Sequence, residues 1–527
     1  MSSTMPIELD RSSSEPLYRQ VAMSLRRAID AGRLRPGQRV ASVRELAVEL
    51  AVGRLTIATA YEQLAAEGYL VGRIGFGTVV APEPPEPSAG AILDAPFGPR
   101  PGAPLAAPVR LPPLRALRSG RDPDPDVPVQ YAGATRPRFD LRSTAAAGWS
   151  GSGGGDGDGG LAVGVALERL LRDEFRRVAE RGGGGIDDPA GDARLRAVIA
   201  AHLRATRAAR CEPEQVVVLS GAVIGFGVIG RLWLGEGRRL AVEDPGDPQV
   251  RRALLASGGR AVGVPVDGHG LRADLLPDAA EVVVAAPTVE TPTGATMPLA
   301  RRLRLLAWAT ATGALLVEDG RLDDLLLRSR PQPCLQGLDG DGRVVHIGSF
   351  ETLLHGGIRT AYAVLPPALV EPFVAGLEAF DPGASPVQQR ALGRFLADGL
   401  LDRHVARVRR VLLDRQNAAL TSIERELGWL GDARETSGGT RLVVTVEDPA
   451  WTATGVVRVA AEAGIAIESL APARVTPAPD RQLVIDYGRL GPLELRAALR
   501  LLARALRTGV RSGHERAGGY PGVATPA

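Results

Sequence analysis

Capturing a carbonyl cofactor covalently takes a side-chain amine that can give up its proton. This chain has no lysine: all 63 of its basic residues are arginine. A guanidinium stays charged at physiological pH, so it binds anions and forks onto carboxylates but cannot form a Schiff base. Metal and thiol chemistry are equally thin. The six histidines, His202, His269, His346, His355, His404 and His514, show no metal-ligand spacing. The two cysteines, Cys211 and Cys334, cannot build a disulfide framework or a four-ligand zinc site and read as packed thiols in a reducing compartment. What is left is the chemistry of arginine, carboxylate and hydroxyl. With 63 arginines and 60 carboxylates, composition alone does not single out which of them act.

The elements that must position them fall into zones. At 527 residues the chain is too long for one core, which predicts roughly two to four domains. Residues 12–81 are compact and periodic. Residues 82–137, with "PEPPEPSAG" and "RDPDPDVP", lack a repeating apolar face and read as an extended linker. Residues 138–510 form a second folded unit, interrupted by "GSGGGDGDGG" at 151–160, where glycine and aspartate cannot offset their ordering entropy. The tail, 511–527, reads as disordered. An apolar share of 45%, no long apolar run and no signal-peptide pattern at the start predict a soluble, cytoplasmic protein with no membrane partner. The net charge of +3 is too small to mark a nucleic-acid binder, so any such case rests on local arrangement.

In "PLYRQVAMSLRRAIDAG", Pro16 can open a helix whose stripe is Leu17, Val21, Leu25 and Ala28 or Ile29. In "SVRELAVEL", Ser42 and Glu45 have capping-box spacing, which predicts a helix start. After the short "AVG", the stretch "RLTIATAYEQLAAEGYL" places Ile57, Tyr61 and Leu64 on one face and leaves Arg54, Thr56 and Thr59 toward the opposite, amino-terminal side. Two short helices joined by a tight turn make a helix-turn-helix, whose second helix enters the major groove amino end first. "YLVGRIGFGTVVA" reads as a two-stranded wing turning at Gly75 and Gly77. The segments "SVRELA", "VGRLTI", "AYEQLAAEG" and "GFGT" resemble the winged helix-turn-helix of the GntR family. The resemblance implies that Arg44, Arg54, Thr56 and Arg73 contact DNA, as against four solvated surface residues. Phosphate-directed arginines would fix register, and a guanidinium in the groove would read guanine. Gly53 stands where the family carries serine, and "VAS" replaces "LPS" before the first of the two helices. The missing serine implies the loss of a phosphate-binding hydroxyl and of a side-chain cap.

From residue 161 onward helical and strand patterns alternate. The strands are predicted at "QVVVLS", "RLAVED", "AVGVPV", "EVVVAAP", "ALLVED" and "RVVHIG", with helices such as "PLARRLRLLAWATATG" between several of them. Such alternation predicts a mainly parallel sheet covered on both faces. The blocks "DDPAGDARLRAVIAAHL", "EPEQVVVLSGA", "RRLAVEDPGDP", "PTGATMPLARRLRLL", "LLVEDG", "GRVVHIGSF" and "GGIRTAYAVLPP" resemble, in order and spacing, the aminotransferase-like domain of the MocR subfamily. That subfamily joins a GntR-type reader to a fold-type-I pyridoxal-phosphate domain. The implied fold class is α/β: an N-terminal winged helix-turn-helix plus a large aminotransferase-like domain with a mainly parallel sheet and a small C-terminal α/β lobe. The resemblance assigns Asp319 to the pyridine nitrogen and Arg359 to the phosphate, and it puts Thr352 where the Schiff-base lysine belongs. The neighbours differ too. "VETPTG" replaces "HQYPTG" and brings in Glu290, Asp247 replaces the aromatic of "EDPGYP", and Arg321 replaces the tyrosine two beyond the pyridine aspartate. Ring stacking is lost, and two carboxylates enter a pocket meant for a dianionic phosphate.

These readings lead to a homodimeric transcription regulator that binds operator DNA and has no covalent cofactor and no catalysis. Pyridoxal phosphate would be held noncovalently or not at all. The pocket is either released from its cofactor or rebuilt for a cationic or amino-containing effector met by Asp247, Glu290 and Asp319. Plain ion pairs, Asp319 with Arg321 and Arg359 with a neighbour, are the simpler alternatives. Dimerisation through the large domain would set two readers on two half-sites. The other functional class is an aminotransferase-type enzyme with noncovalent cofactor, and a third reading makes the large domain a ligand-free scaffold.

Overall fold

The computed structural model describes residues 9, 17–30, 34, 37–66, 69–73, 77–81, 137–142, 164–181, 185–329, 331–354, 358–381 and 383–511. Nearly all of the 82–137 linker, the run at 151–160, Pro16, Gly75, His355 and the tail beyond Arg511 lie outside these residues.

In the reader, helix Leu17–Asp30 buries Val21, Leu25, Ala28 and Ile29 of the stripe its spacing predicts, while Leu17, the first of that stripe, is half-buried. Helix Val43–Glu49 starts at a complete capping box: the Ser42 hydroxyl accepts from the Glu45 amide at 3.2 Å, and the Ser42 amide donates to Glu45 Oε2 at 2.8 Å. Each orphan donor of the first turn that finds such a partner favours the helix by about 1 kcal/mol. Helix Arg54–Ala66 buries Ile57, Tyr61 and Leu64, and the Tyr61 hydroxyl donates to the Ala41 carbonyl at 2.7 Å, tying this helix to the segment before its partner. Thr59 corrects the sequence reading: it is buried, and its hydroxyl donates to the Leu55 carbonyl at 2.8 Å. A threonine that satisfies its hydroxyl on its own helix can turn its methyl inward. Strands Leu70–Arg73 and Gly77–Val80 pair antiparallel as the wing, with Leu70 opposite Val80.

In the large unit each valine-rich run becomes a strand. The eight-stranded sheet runs Val216–Leu219, Ala361–Val364, Val344–Ser349, Leu315–Asp319, Val282–Ala285, Arg239–Asp244, Arg260–Asp267 and Gly270–Leu271. The five strands from Val344–Ser349 to Arg260–Asp267 are parallel, and Ala361–Val364 lies antiparallel to both of its neighbours. Strands such as Val282–Ala285 and Leu315–Asp319 are buried at every position, as expected when helices cover both faces. A smaller lobe holds the four-stranded sheet Gly431–Ala433, Arg441–Val446, Gln482–Asp486 and Glu468–Ser469, against helices Leu400–Leu427, Ala453–Glu462 and Pro492–Arg511. The apolar interior of the reader is continuous with that of the large unit at helix Leu299–Thr312, where Leu303 and Trp308 are half-buried. Among the described residues no helix is long and apolar enough to cross a membrane, and no group of three or more His, Cys, Asp or Glu is set to hold a metal ion.

Candidate functional site

Loops at the carboxyl ends of parallel strands are where α/β sheets build ligand sites. Asp319 ends one strand, and Glu243 and Asp244 end another. Asp247 follows three residues later and caps helix Pro248–Leu255, its carboxylate accepting from the Gln249 amide at 2.7 Å. The bend between strand and cap needs Gly246, because a Cβ there would stand 2.5 Å from the Glu243 carbonyl oxygen. The lobe closes over this bend. Asp244 accepts from the amides of Val475 and Thr476 at 3.1 and 2.9 Å, and Arg251 donates to the Pro472 carbonyl at 2.8 Å.

Arg321 stands between two of these carboxylates, Asp319 and Asp247. Its backbone amide reaches Asp319 Oδ1 at 3.2 Å, a local turn that aims the side chain back toward the strand end. Its Nε donates to Asp319 Oδ1 at 2.8 Å, and Nη2 donates to Asp319 Oδ2 at 2.7 Å and to Asp247 Oδ2 at 2.8 Å. The guanidinium carbon lies 5.4 Å from the centre of the Phe226 ring, within cation–π range. The three side chains are only 14%, 13% and 9% exposed for Arg321, Asp247 and Asp319. Burial works against the charge on Arg321, but Asp319 and Asp247 outweigh it and hold the guanidinium firmly protonated. For Asp247 burial raises the pKa, and the charges of Arg321 and Arg441 overcome that and bring it down to about 2.

Behind the fork sit two more carboxyls. Glu243 accepts from the Ala286 amide at 3.0 Å, and burial, reinforced by the Glu290 charge, pushes its pKa well above the usual range. Glu290 Oε2 accepts from the Thr293 amide at 2.8 Å and from the Thr293 hydroxyl, while its buried Oε1 has no hydrogen-bond partner. Burial raises Glu290 to about 7 in spite of those two bonds and of Arg441. A small pocket lined by Glu243, Asp247, Val250 and Asp319 measures about 20 Å³, room for one water.

The structure thus brings Asp247, Asp319 and Arg321 together, with Glu290 close enough to feel Asp247. Thr352 sits half-buried in the turn after strand Val344–Ser349. Arg359 turns outward: its side chain is 61% exposed, with Nε 3.5 Å from Glu351 Oε1. Sequence reasoning missed Glu243, Phe226 and Arg441. Only Glu243 carried a signal, as a carboxylate directly following the apolar triplet 240–242 within "RLAVED". In the reader, Arg44 and Arg54 are exposed on the capped helix and at the first residue of the reading helix, and Thr56 is half-buried. Arg73 ends the first wing strand opposite Gly77, and its side chain lies outside the described residues.

Residues 17–80 match the bacterial regulatory proteins of the gntR family, and residues 156–371 match aminotransferase class I and II. Over 507 residues the chain is 30% identical to the probable rhizopine catabolism regulatory protein MocR of Rhizobium meliloti, spanning 94% of this chain and 95% of that protein. It is 32% identical over 507 residues to the HTH-type transcriptional regulator TauR of Rhodobacter capsulatus, spanning 93% and 96%. Among solved structures, LysN, the alpha-aminoadipate aminotransferase of Thermus thermophilus complexed with N-(5'-phosphopyridoxyl)-L-leucine, is 25% identical. It superposes with a TM-score of 0.60 over 67% of this chain and 92% of that one.

Proposed function

Because the chain belongs to the MocR-type regulators of the GntR family, we propose that its reader binds operator DNA while its large unit works with no covalent cofactor and no catalysis. The observation that carries the second half is the Arg321 fork. Pyridoxal phosphate would need the Asp319 carboxylate for its pyridinium and a side-chain amine for its aldehyde. Here both Asp319 oxygens accept from Arg321, and position 352 is threonine. The residues present do not fit the group. A half-reaction assay with amino-acid mixtures and added pyridoxal phosphate is expected to give no turnover, and turnover would overturn the regulator-only reading.

Arg44, Arg54, Thr56 and Arg73 are the DNA contacts of this reading, and a cytoplasmic homodimer presents two readers to paired half-sites. With duplexes recovered by in vitro selection, Arg44→Ala and Arg54→Ala should each weaken binding by about 1–3 kcal/mol if the arginine reads a base. A phosphate contact should instead lower the salt slope by about one. Unchanged affinity, slope and sequence preference in both variants would refute the assignment.

Gly53 gives a gain-of-function check. A Cβ at this position meets only Thr56 Oγ1, at an ordinary 3.7 Å. Gly53→Ser is therefore expected to fold normally and to tighten DNA binding by one added hydrogen bond, about 0.5–1.5 kcal/mol or roughly two- to tenfold. Weaker binding in an anisotropy titration would count against Gly53 facing the duplex.

A further inference from the structure

Away from the Arg321 fork, a cleft stands open where the reader meets the large unit. It measures about 520 Å³, within the range of small-molecule sites. One wall is the amino-terminal end of the reading helix, with Arg54, Leu55 and Ala58. The other is built from helices Ala193–Arg207 and Leu400–Leu427, which contribute His202, Val405 and Arg409. Apolar side chains from both units line it around a few charged groups, the composition typical of ligand pockets.

Three guanidiniums, Arg54, Arg207 and Arg409, line the cleft with two carboxylates, Asp324 and Asp402, and the buried Arg207 is also met by Asp323 at 3.8 Å. Asp324 is already engaged: it accepts from Arg207 Nη2 at 2.8 Å and lies 3.9 Å from Arg409 Nη2. Asp402 lies 3.7 Å from His202 Nδ1. On the facing wall Arg54 has no hydrogen-bond or ion-pair partner among the described residues. We infer that this cleft is an effector site for a small carboxylate with an apolar body, and that its occupation holds the reading helix away from DNA.

The inference rests on the reading of Arg54–Ala66 as the DNA-reading helix. Such a helix enters a groove about 12 Å wide with its amino end foremost. Arg54 cannot face a base edge and the wall of helix Leu400–Leu427 at once, so the arrangement with the cleft formed is a DNA-free one. A carboxylate that binds this arrangement more tightly shifts the population toward it, and by linkage DNA weakens the carboxylate in return.

The test uses the full chain with 4-fluorobenzoate as probe and 4-fluorobenzamide and 4-fluorobenzylamine as its neutral and cationic counterparts. Binding is followed by fluorine line broadening and operator affinity by anisotropy. The benzoate is expected to bind saturably where the other two do not, and to weaken operator binding about fivefold or more. Ala205→Trp and Ala406→Trp, at two exposed positions lining the cleft, should each abolish benzoate binding while leaving DNA binding at least as strong. Absence of saturable binding, equal binding of the amide, or benzoate binding untouched by both tryptophans would overturn the inference. A chain that binds no selected duplex even without a probe would overturn the reader assignment itself.

Discussion

Borohydride reduction after incubation with stoichiometric pyridoxal phosphate should leave no labelled side chain on the wild-type protein. The combined variant Thr352→Lys, Arg321→Tyr, Asp247→Tyr should retain one phosphopyridoxyl group per chain. The three substitutions address three separate obstacles. Lysine supplies the missing amine. Removing the guanidinium frees Asp319 Oδ2 and leaves Oδ1 only its backbone-amide bond, and a tyrosine at 247 replaces a buried carboxylate with an aromatic face. Thr352→Lys alone is the informative intermediate: with the fork in place it should label poorly. Because the chain has no other lysine, peptide mapping need only separate a label at position 352 from one on the chain's α-amino group. Equal labelling of the single and the combined variant would mean that Arg321 does not obstruct the cleft. No label on the combined variant would mean that other residues close it.

Glu290→Gln should stabilise the large unit in mildly alkaline solution and do little in acid. The folded pKa of Glu290 is raised from 4.5 to about 7, so the folded state holds the proton more tightly than the unfolded state does. The stability that this proton contributes is complete below about pH 4.5 and is lost as pH rises through about 7. At pH 8 wild type has lost about 3 kcal/mol that a permanently neutral glutamine keeps. Denaturation curves followed by the buried Trp233 should show the variant's midpoint ahead of wild type at pH 8 and the two converging near pH 4. Parallel curves at every pH would show that Glu290 titrates normally. Asp247 has the opposite sign. Its pKa is depressed to about 2, so its contribution is present above about pH 4 and disappears as pH falls toward 2.

Much of the scaffold was legible because it follows from local rules. Valine-rich runs of strand length alternating with helical stretches pointed to a covered, mainly parallel sheet, and all six became strands. The pair Ser42 and Glu45 marked its helix start through a rule that spans three residues. Thr59 misled because a helical wheel treats its hydroxyl as solvent-seeking, whereas the preceding turn offers that hydroxyl a carbonyl. The site was legible only in parts. Asp319 and Arg321 stand two residues apart, so their pairing was an open alternative from the start. That the same guanidinium would also reach Asp247, 74 residues away, depends on the strand order, which local pattern does not encode. The outward turn of Arg359 likewise depends on how the chain leaves strand Val344–Ser349, beyond what periodicity reports.

The fork also changes what the folded state depends on. A domain cross-linked by a dissociable small molecule gains stability by mass action, in proportion to RT ln(1 + [L]/Kd), and loses it when the supply of that molecule falls. Here the link between the end of strand Leu315–Asp319 and the cap of helix Pro248–Leu255 is made by Arg321, a part of the chain itself. Its local concentration is set by covalent geometry and is the same in a starved cell as in a well-fed one. The brace between these two elements thus needs no dissociable ligand and holds whatever the supply of small molecules.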